Sequence, residues 1–497
     1  MIKIKESSKL TKKLTLKYNN LKLVSKDVEN MIFYGRENEL KLLDNLYNSN
    51  KFELLVMYGR RRVGKTSILQ KFAKDKDVLF YSAIEQNNTL NLNNFNRCIK
   101  DYFNLNYSFK LVDWQEAFNL LLDQINSCSI YKRITIIIDE FPFIAKEYPA
   151  IKSILQHLID HHLKNKNVFL ILCGSSVSFM INDELGYNSP LNGRRTSQIE
   201  LKPFDYTITN EFYKNMSNLD KIYSYGILGG IPLYLASFSD TKSLKENIKS
   251  SILNSNHILY NEPLFLLRQE LKEPLFYNSI LTSIASGSTR LNEISSKTNE
   301  MSAKVSKYLD VLKEIRLVKR DIPYGEPINS KRGIYSLSDN YFNFWYKFIF
   351  ENQAKIELLD EDIFLNELME NFNIPMGFAF ENICKEYLIN KAKENNLPFV
   401  PNGLGKWWGN NPNTKKQVDI DIIGFNKENG IFAECKFKNE VLKYSDYLKL
   451  KDNSEIFTFI SNKYYYLFSK SGFDNQLIKL ASEDNKIKLI NINDLFR

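Results

Sequence analysis

The sequence predicts an α/β protein whose N-terminal part is a parallel sheet with crossover helices, followed by helical and then mixed segments. Three observations lead there. Between Phe33 and about Pro203, apolar runs of strand length (FELLVMYG, DVLFYSA, RITIIIDE, NVFLILCGSS) alternate with helical patterns such as Thr66 to Ala73 and Ala150 to His162, the alternation that parallel strands joined by helices produce. Two of those runs end in distinctive residues: a glycine-containing turn after Tyr58 and the acid pair Asp139–Glu140. The chain, at 497 residues, exceeds the ~250–300 that one hydrophobic core usually serves, so several domains are expected.

Taken in order, residues 1–30 are rich in Lys and Ser with weak periodicity and read as a basic arm. No apolar run follows its positive charge, so it is not expected to be a secretory signal. Residues 31–205 hold the strand-rich domain. Residues 206–262 read as a helical lid, interrupted by GGIPLYL at Gly229 to Leu235. Residues 263–350 read as three short helices (Leu275 to Ala285, Leu291 to Lys297, Ser302 to Ile315) and a hairpin from Leu317 to Leu337 turning at Tyr324–Gly325. That order suggests a winged helix-turn-helix. Residues 351–497 return to mixed helix and strand.

Hydrophobic residues at 43% and charged residues at 25% place the chain with globular proteins, not disordered ones. A net charge of +9 is compatible with a polyanionic partner but is diluted over this length. Cys98, Cys128, Cys173, Cys384 and Cys435 lie far apart with no CxxC pair, which argues against a zinc ribbon or a disulfide framework and fits a reducing cytoplasm. The longest apolar stretches, such as Val168 to Cys173, fall far short of the ~20 residues of a membrane-spanning helix, so no membrane partner is expected.

GRRRVGKT places Gly59, Arg60, Arg61, Arg62, Val63, Gly64, Lys65 and Thr66, with Ser67 behind them, between a strand and a helix. Glycines let backbone N–H groups wrap a phosphate, and the helix N-terminus favours its negative charge. Lys65 is then placed for the β- and γ-phosphates and Thr66 for magnesium, so ATP and Mg2+ are the expected ligands. ITIIIDE reads as a buried parallel strand ending where ligands collect, so Asp139 is the second magnesium residue and Glu140 the group that polarises the attacking water. Ser175 and Ser176, after the next strand, are candidates to touch the γ-phosphate. Arg194 and Arg195, in GRRT, are candidates to stabilise the transferring phosphoryl, in cis or across a subunit interface, which leaves a homo-oligomer open.

These residues resemble the archaeal and bacterial P-loop ATPases of the signalling type, relatives of the AAA+ class. FYGRENEL (Phe33 to Leu40) looks like that family's opening box near the adenine, and GGIPLYL is similar to its lid motif, with Pro232 fixing a bend. The resemblance covers about residues 30–350 and implies nucleotide-gated rearrangement more than rapid turnover. In Ser302 to Arg316, Lys304, Lys307, Lys313 and Arg316 stand beside the apolar Val305, Leu309, Leu312 and Ile315. That helix can set its cations on DNA phosphates, or the block can serve as a lid or a protein contact.

The C-terminal segment QVDIDIIGFNKENGIFAECKFKN reads as a hairpin, Val418 to Gly424 and Ile431 to Phe437, with Glu434 and Lys436 on one face and Asp421 able to approach Glu434. Two carboxylates so placed form a magnesium site, and the nearby ammonium activates water or stabilises a pentacoordinate phosphate. Asp421, Glu434 and Lys436 resemble the PD-(D/E)XK nuclease set, which implies a restriction-endonuclease-like domain that cuts DNA. Asp419 is then a further ligand or a substitute for one. Glu381 in GFAFENICKEYL matches the first helix, and GKWWGN, around Trp407–Trp408, is similar to a loop of related ATPases. A non-cleaving signalling ATPase whose tail only binds remains the alternative. His157, His161 and His162 read as an exposed helix face, and Tyr464–Tyr466 as strand and core.

Overall fold

The computed structural model describes residues 33–106, 111–129, 131–181, 186, 189–358, 361–412 and 415–497; the basic arm read in residues 1–30 lies outside them. The described residues fall into two compact units, one of those up to Tyr58, within Gly64–Ser175 and within Asn182–Glu200, the other of those within Gly59–Val63, Ser176–Ile181 and Leu201–Arg497.

In the first unit, β1 (Glu53–Tyr58), β2 (Val78–Ser82), β3 (Ile134–Asp139), β4 (Val168–Gly174) and β5 (Ser197–Glu200) form a parallel sheet in the order β2-β3-β4-β1-β5. Strands β1, β3 and β4 are buried along their whole length. A strand covered on both faces needs apolar residues at every position, which is why these runs show no alternation. Strand β5 escaped the sequence reading because SQIE is short and partly exposed, so it lacks that signature.

Helices α1 (Glu37–Tyr47), α2 (Lys65–Ala73), α3 (Asn88–Phe103), α4 (Trp114–Ser127), α5 (Phe141–Glu147) and α6 (Ile151–Leu158) complete this unit. Asn87 and Asp113 cap α3 and α4 by accepting the N–H groups of Leu90 and Glu116, each contributing about 1 kcal/mol. Phe95 of α3 meets Trp114 and Phe118 of α4 at ring-centroid distances of 5.3 and 5.4 Å. The consequence for function lies in the strand order. With β4 between β1 and β3, the carboxyl ends of β1 and β4 and the acid-tipped end of β3 share one edge of the sheet.

The second unit contains α7 (Asn218–Leu228), whose chain breaks at Gly229–Pro232 before a short turn, Pro232–Leu235. It continues through α8 (Glu262–Glu270), α9 (Pro274–Ala285), α10 (Leu291–Thr298) and α11 (Ser302–Glu314) to an antiparallel pair, β6 (Val318–Asp321) and β7 (Ile334–Leu337). Val305, Leu309 and Leu312 of α11 are buried while Lys307 is exposed, the stripe expected of an amphipathic helix. The connection between β6 and β7 is longer than the turn read at Tyr324–Gly325. The backbone N–H of Tyr324 donates to the carbonyl of Lys406 at 2.8 Å and its ring packs on Phe425, so the chain is held against the next sheet before it returns.

After α12 (Asn340–Phe344) and α13 (Asn373–Lys393), a mixed sheet follows in the order β12-β11-β10-β9-β8, from β8 (Gly405–Asn410), β9 (Gln417–Asn426), β10 (Asn429–Lys436), β11 (Asn462–Ser469) and β12 (Ile487–Asn491). Helices α14 (Tyr444–Ser454) and α15 (Asn475–Glu483) cover one face through a core that includes Phe432, Tyr447, Leu450, Leu467 and Leu477. Tyr387 of α13 meets Phe468, next to Leu467 and therefore on the opposite face. GKWWGN, read as a loop, is strand β8. Trp407 is drawn into that core against Phe457, and at the irregularity in pairing between Gly405 and Trp407 the side chain of Lys406 turns to Glu381 of α13.

Candidate functional site

The first unit brings Thr66, Asp139 and Glu140 together, with Lys65 beside Thr66 in sequence, and the turn Gly59–Val63 belongs to the second unit. Arg62 and Gly64 have φ of 71° and 92°, the left-handed backbone that lets consecutive N–H groups curl around an anion. At Gly59 an added Cβ would collide with the carbonyl oxygen of Leu201, so only glycine fits the start of the loop. Lys65 opens α2 and is buried.

Thr66 Oγ1 donates to Asp139 Oδ2 at 2.8 Å, and Asp139, 1% exposed, accepts the Glu140 N–H on its other oxygen at 3.0 Å. A hydroxyl and a carboxylate oxygen converging at a phosphate loop suit magnesium, which takes few protein ligands beside nucleotide phosphates. Glu140 sits at φ 53°, and its Oε2 accepts both the hydroxyl (2.8 Å) and the N–H (3.2 Å) of Ser175. Ser175, expected at the γ-phosphate, thus positions Glu140. Beside them the Cys173 thiol is pushed well up, first by burial and then by Asp139, so it stays neutral.

The three loop arginines have their side chains engaged within the second unit. Arg60 pairs with Asp339, Arg61 Nε with Glu270 Oε1 at 2.5 Å, and Arg62 with Glu262. Glu262 is fully buried and also accepts the Tyr234 hydroxyl at 2.8 Å. Asp339 caps α12 by accepting the Phe342 N–H at 2.9 Å.

Arg194 is engaged within its own loop and with Asp160. Its Nε and Nη2 donate to Asp160 Oδ2 at 2.9 and 2.6 Å, and Nη1 donates to the carbonyls of Pro190 and Asn192. Those bonds hold the Asp160 carboxyl down to about 2. A guanidinium committed in this way braces its own loop, and a phosphoryl contact would have to break the pair. Arg195 is half-buried in the same loop. His157, His161 and His162 are exposed. Among the described residues no three His, Cys, Asp or Glu side chains converge as a metal-holding group.

The second unit carries another charged cleft. The β9–β10 register pairs Ala433 with Ile422, and Asp421 Oδ2 accepts the Cys435 N–H at 2.9 Å, which brings Asp421 alongside Glu434. Glu434 is ion-paired with Lys436. Burial pushes the Glu434 carboxyl up to about 7, Asp421 adds to this and Lys436 opposes it.

The residue that sequence reading missed is Lys406. From β8 its Nζ donates to Glu381 Oε2 at 2.8 Å and lies 3.5 Å from Asp421 Oδ1 and 3.9 Å from Asp419 Oδ2. Burial alone would lower its pKa, but Glu381 and Asp421 outweigh it and hold the ammonium above its ordinary range. Glu381 is itself raised, by burial and then by Asp421. Four carboxylates thus share two ammonium groups, an excess of negative charge that favours a cation.

Comparison with known proteins adds the following. A family described as an ATPase domain predominantly from Archaea matches residues 33–238, and one described as archaeal and bacterial proteins of unknown function matches residues 345–465. An uncharacterized protein of Methanocaldococcus jannaschii is 34% identical over 420 residues, which is 84% of this chain and 90% of that protein. An uncharacterized ATP-binding protein of the same organism is 44% identical over 48 residues, 10% of this chain and 81% of that one. Among solved structures, the Walker-type ATPase of Pyrococcus abyssi is similar with a TM-score of 0.49 at 19% identity, over 63% of this chain and 96% of that one.

Proposed function

Because the chain belongs to the family of that Methanocaldococcus jannaschii protein and its own residues 33–238 match an ATPase domain predominantly from Archaea, we propose that it hydrolyses ATP and couples this to a nuclease site acting on DNA. The observation that carries the first part is the 2.8 Å contact between Thr66 Oγ1 and Asp139 Oδ2 at the foot of the phosphate loop. Magnesium, when bound there, would neutralise charge on the phosphates. Glu140 accepts a proton from the water that attacks the γ-phosphorus, the bond to the β-phosphate oxygen breaks, and ADP and phosphate result.

For the second part, the three helices and antiparallel pair of residues 274–337 have the order of a winged helix. Asp421, Glu434 and Lys436 supply the two oxygen donors and one ammonium that phosphodiester hydrolysis needs. A rival reading, a regulatory ATPase whose C-terminal cleft binds without cutting, is favoured by the Lys436–Glu434 and Lys406–Glu381 pairs, which already compensate the carboxylates.

Supercoiled plasmid incubated with the full chain, Mg2+ and with or without ATP separates these readings. Nicking that disappears in both Glu434→Ala and Lys436→Ala supports the nuclease; nicking equal in all three proteins, or absent from the wild type, rejects it. Lys65→Ala tests the nucleotide site independently, with an expected loss of ATP affinity of at least about 100-fold, the value of a lost buried charge-assisted contact. Unchanged affinity would overturn that assignment.

A further inference from the structure

Residues Gly59–Val63 of the phosphate loop belong to the second unit, and from Arg60 a run of polar contacts leads to that unit's carboxylate cleft. We propose that this run, through Asp339, Asn340, Tyr225 and Glu386 to Glu381, carries the state of the phosphate loop to the cleft. Asn340, Tyr225 and Glu386 are then positioning residues for Glu381. The inference deepens the coupling proposed above, naming its route, and rests on the nucleotide part of that reading.

The links follow one another closely. Arg60 pairs with Asp339, and both are buried. Asp339 accepts the Phe342 N–H at 2.9 Å, so whatever moves its carboxylate bears on the first turn of α12. The next residue, Asn340, donates through Nδ2 to the Tyr225 carbonyl at 3.0 Å. That carbonyl lies in the last turn of α7 and also accepts the Gly229 N–H at 2.8 Å, so one atom receives α12 and sets the bend after α7. The hydroxyl of the same Tyr225 reaches Glu386 Oε1 at 3.1 Å. Glu386 and Glu381 stand on one helix, α13, about 7.5 Å apart along its axis, and Glu381 Oε2 accepts the Lys406 ammonium at 2.8 Å.

Close packing keeps the route stiff where it passes from α7 to α13. Gly226, beside Tyr225, leaves room for Met376 and Ala379 of α13, and a Cβ added there would stand 3.4 Å from that of Ala379. The other oxygen of Glu386 accepts the Tyr206 N–H at 3.0 Å, which holds α13 at a second point. Coupling between sites needs contiguous contacts and an element with two arrangements. The Arg60–Asp339 pair is that element: a nucleotide phosphate at the loop is a rival anion for the guanidinium, and loss of the pair releases the start of α12.

The test follows amide hydrogen exchange in the α13 peptide containing Glu381, in the full chain, with and without a non-hydrolysable ATP analogue and Mg2+. In the wild type the analogue should change that exchange at least about fivefold, the lower end of ordinary coupling between sites. Tyr225→Phe and Asn340→Ala each remove one link and should each reduce the response below about twofold with analogue affinity retained. Links in series are not additive, so the double variant should lose no more than either single one. Tyr213→Phe also deletes a buried hydroxyl, one bonded to the Leu235 carbonyl at 2.7 Å and off this route; it should respond as the wild type does. A wild type that binds the analogue without a response at α13 would overturn the proposal whatever the plasmid assay shows, as would full responses in both single variants. Equal losses in Tyr213→Phe and Tyr225→Phe would reduce the effect to general loosening and overturn it too. A wild type that fails to bind the analogue would remove the nucleotide reading and the route with it.

Discussion

The two carboxylate sites differ in what holds them. At the nucleotide site the acids are met by hydroxyl and backbone donors: Asp139 by Thr66 and an N–H, Glu140 by Ser175. In the C-terminal cleft they are met by ammonium groups, Glu434 by Lys436 and Glu381 by Lys406. A hydroxyl fixes a carboxylate in place and leaves its charge for a ligand, whereas an ammonium compensates that charge internally. Those donors leave the carboxylate charge of the first site in place, and the ammonium groups of the second compensate part of its own.

Glu140→Gln attacks the first half of this comparison and should have the largest effect. The amide keeps one acceptor for Ser175 but cannot take a proton, so ATP turnover should fall about 10²- to 10³-fold while ATP affinity is retained. Steady-state turnover alongside equilibrium binding of ATP checks it; wild-type turnover would remove Glu140 from the chemistry. Glu262→Gln asks whether charge compensation around the loop arginines is structural. Arg62 would lose its counter-ion and the fully buried site one carboxylate oxygen, at an expected cost of about 3 kcal/mol in chemical denaturation. A change below about 0.5 kcal/mol, the range of ordinary surface substitutions, would show that the pair contributes little.

Lys406→Met addresses the second half directly. With the ammonium gone, Glu381, Asp421 and Asp419 present uncompensated charge, and Mn2+ measured by calorimetry should bind about tenfold more tightly, some 1.4 kcal/mol. Equal or weaker binding would mean that this lysine does not compete with a divalent ion.

How far the sequence could be read follows the same division. The phosphate loop and the acid-tipped strand are each contiguous, so residue spacing alone reports Gly59, Lys65, Thr66, Asp139 and Glu140, and full burial makes β1, β3 and β4 visible as apolar runs. The C-terminal cleft draws on α13, β8, β9 and β10. Its E-x-K pair is local and readable, but Lys406 sits in a segment whose glycines and asparagine suggest a loop, and only pairing with β9 turns it into a strand. The partners of the loop arginines lie at Asp339, Glu270 and Glu262, and no periodicity connects residues so distant.

Glu386 carries the comparison to a carboxylate outside both sites. It accepts the Tyr206 N–H at 3.0 Å and the Tyr225 hydroxyl at 3.1 Å, so it is held in the manner of Glu140. Burial pushes its carboxyl from an ordinary 4.5 up to about 7, and the Tyr206 bond only partly offsets this. Between those values the unfolded chain has released the proton that the folded chain keeps, so stability falls as pH rises through this window and levels off above about 7. Glu386→Gln cannot titrate. Urea denaturation at a series of pH values should show the variant gaining about 1 to 2 kcal/mol on the wild type between pH 4.5 and 7, less than the full shift because the side chain keeps some contact with water. Parallel curves would mean that the two tyrosine donors suffice to keep the carboxylate charged.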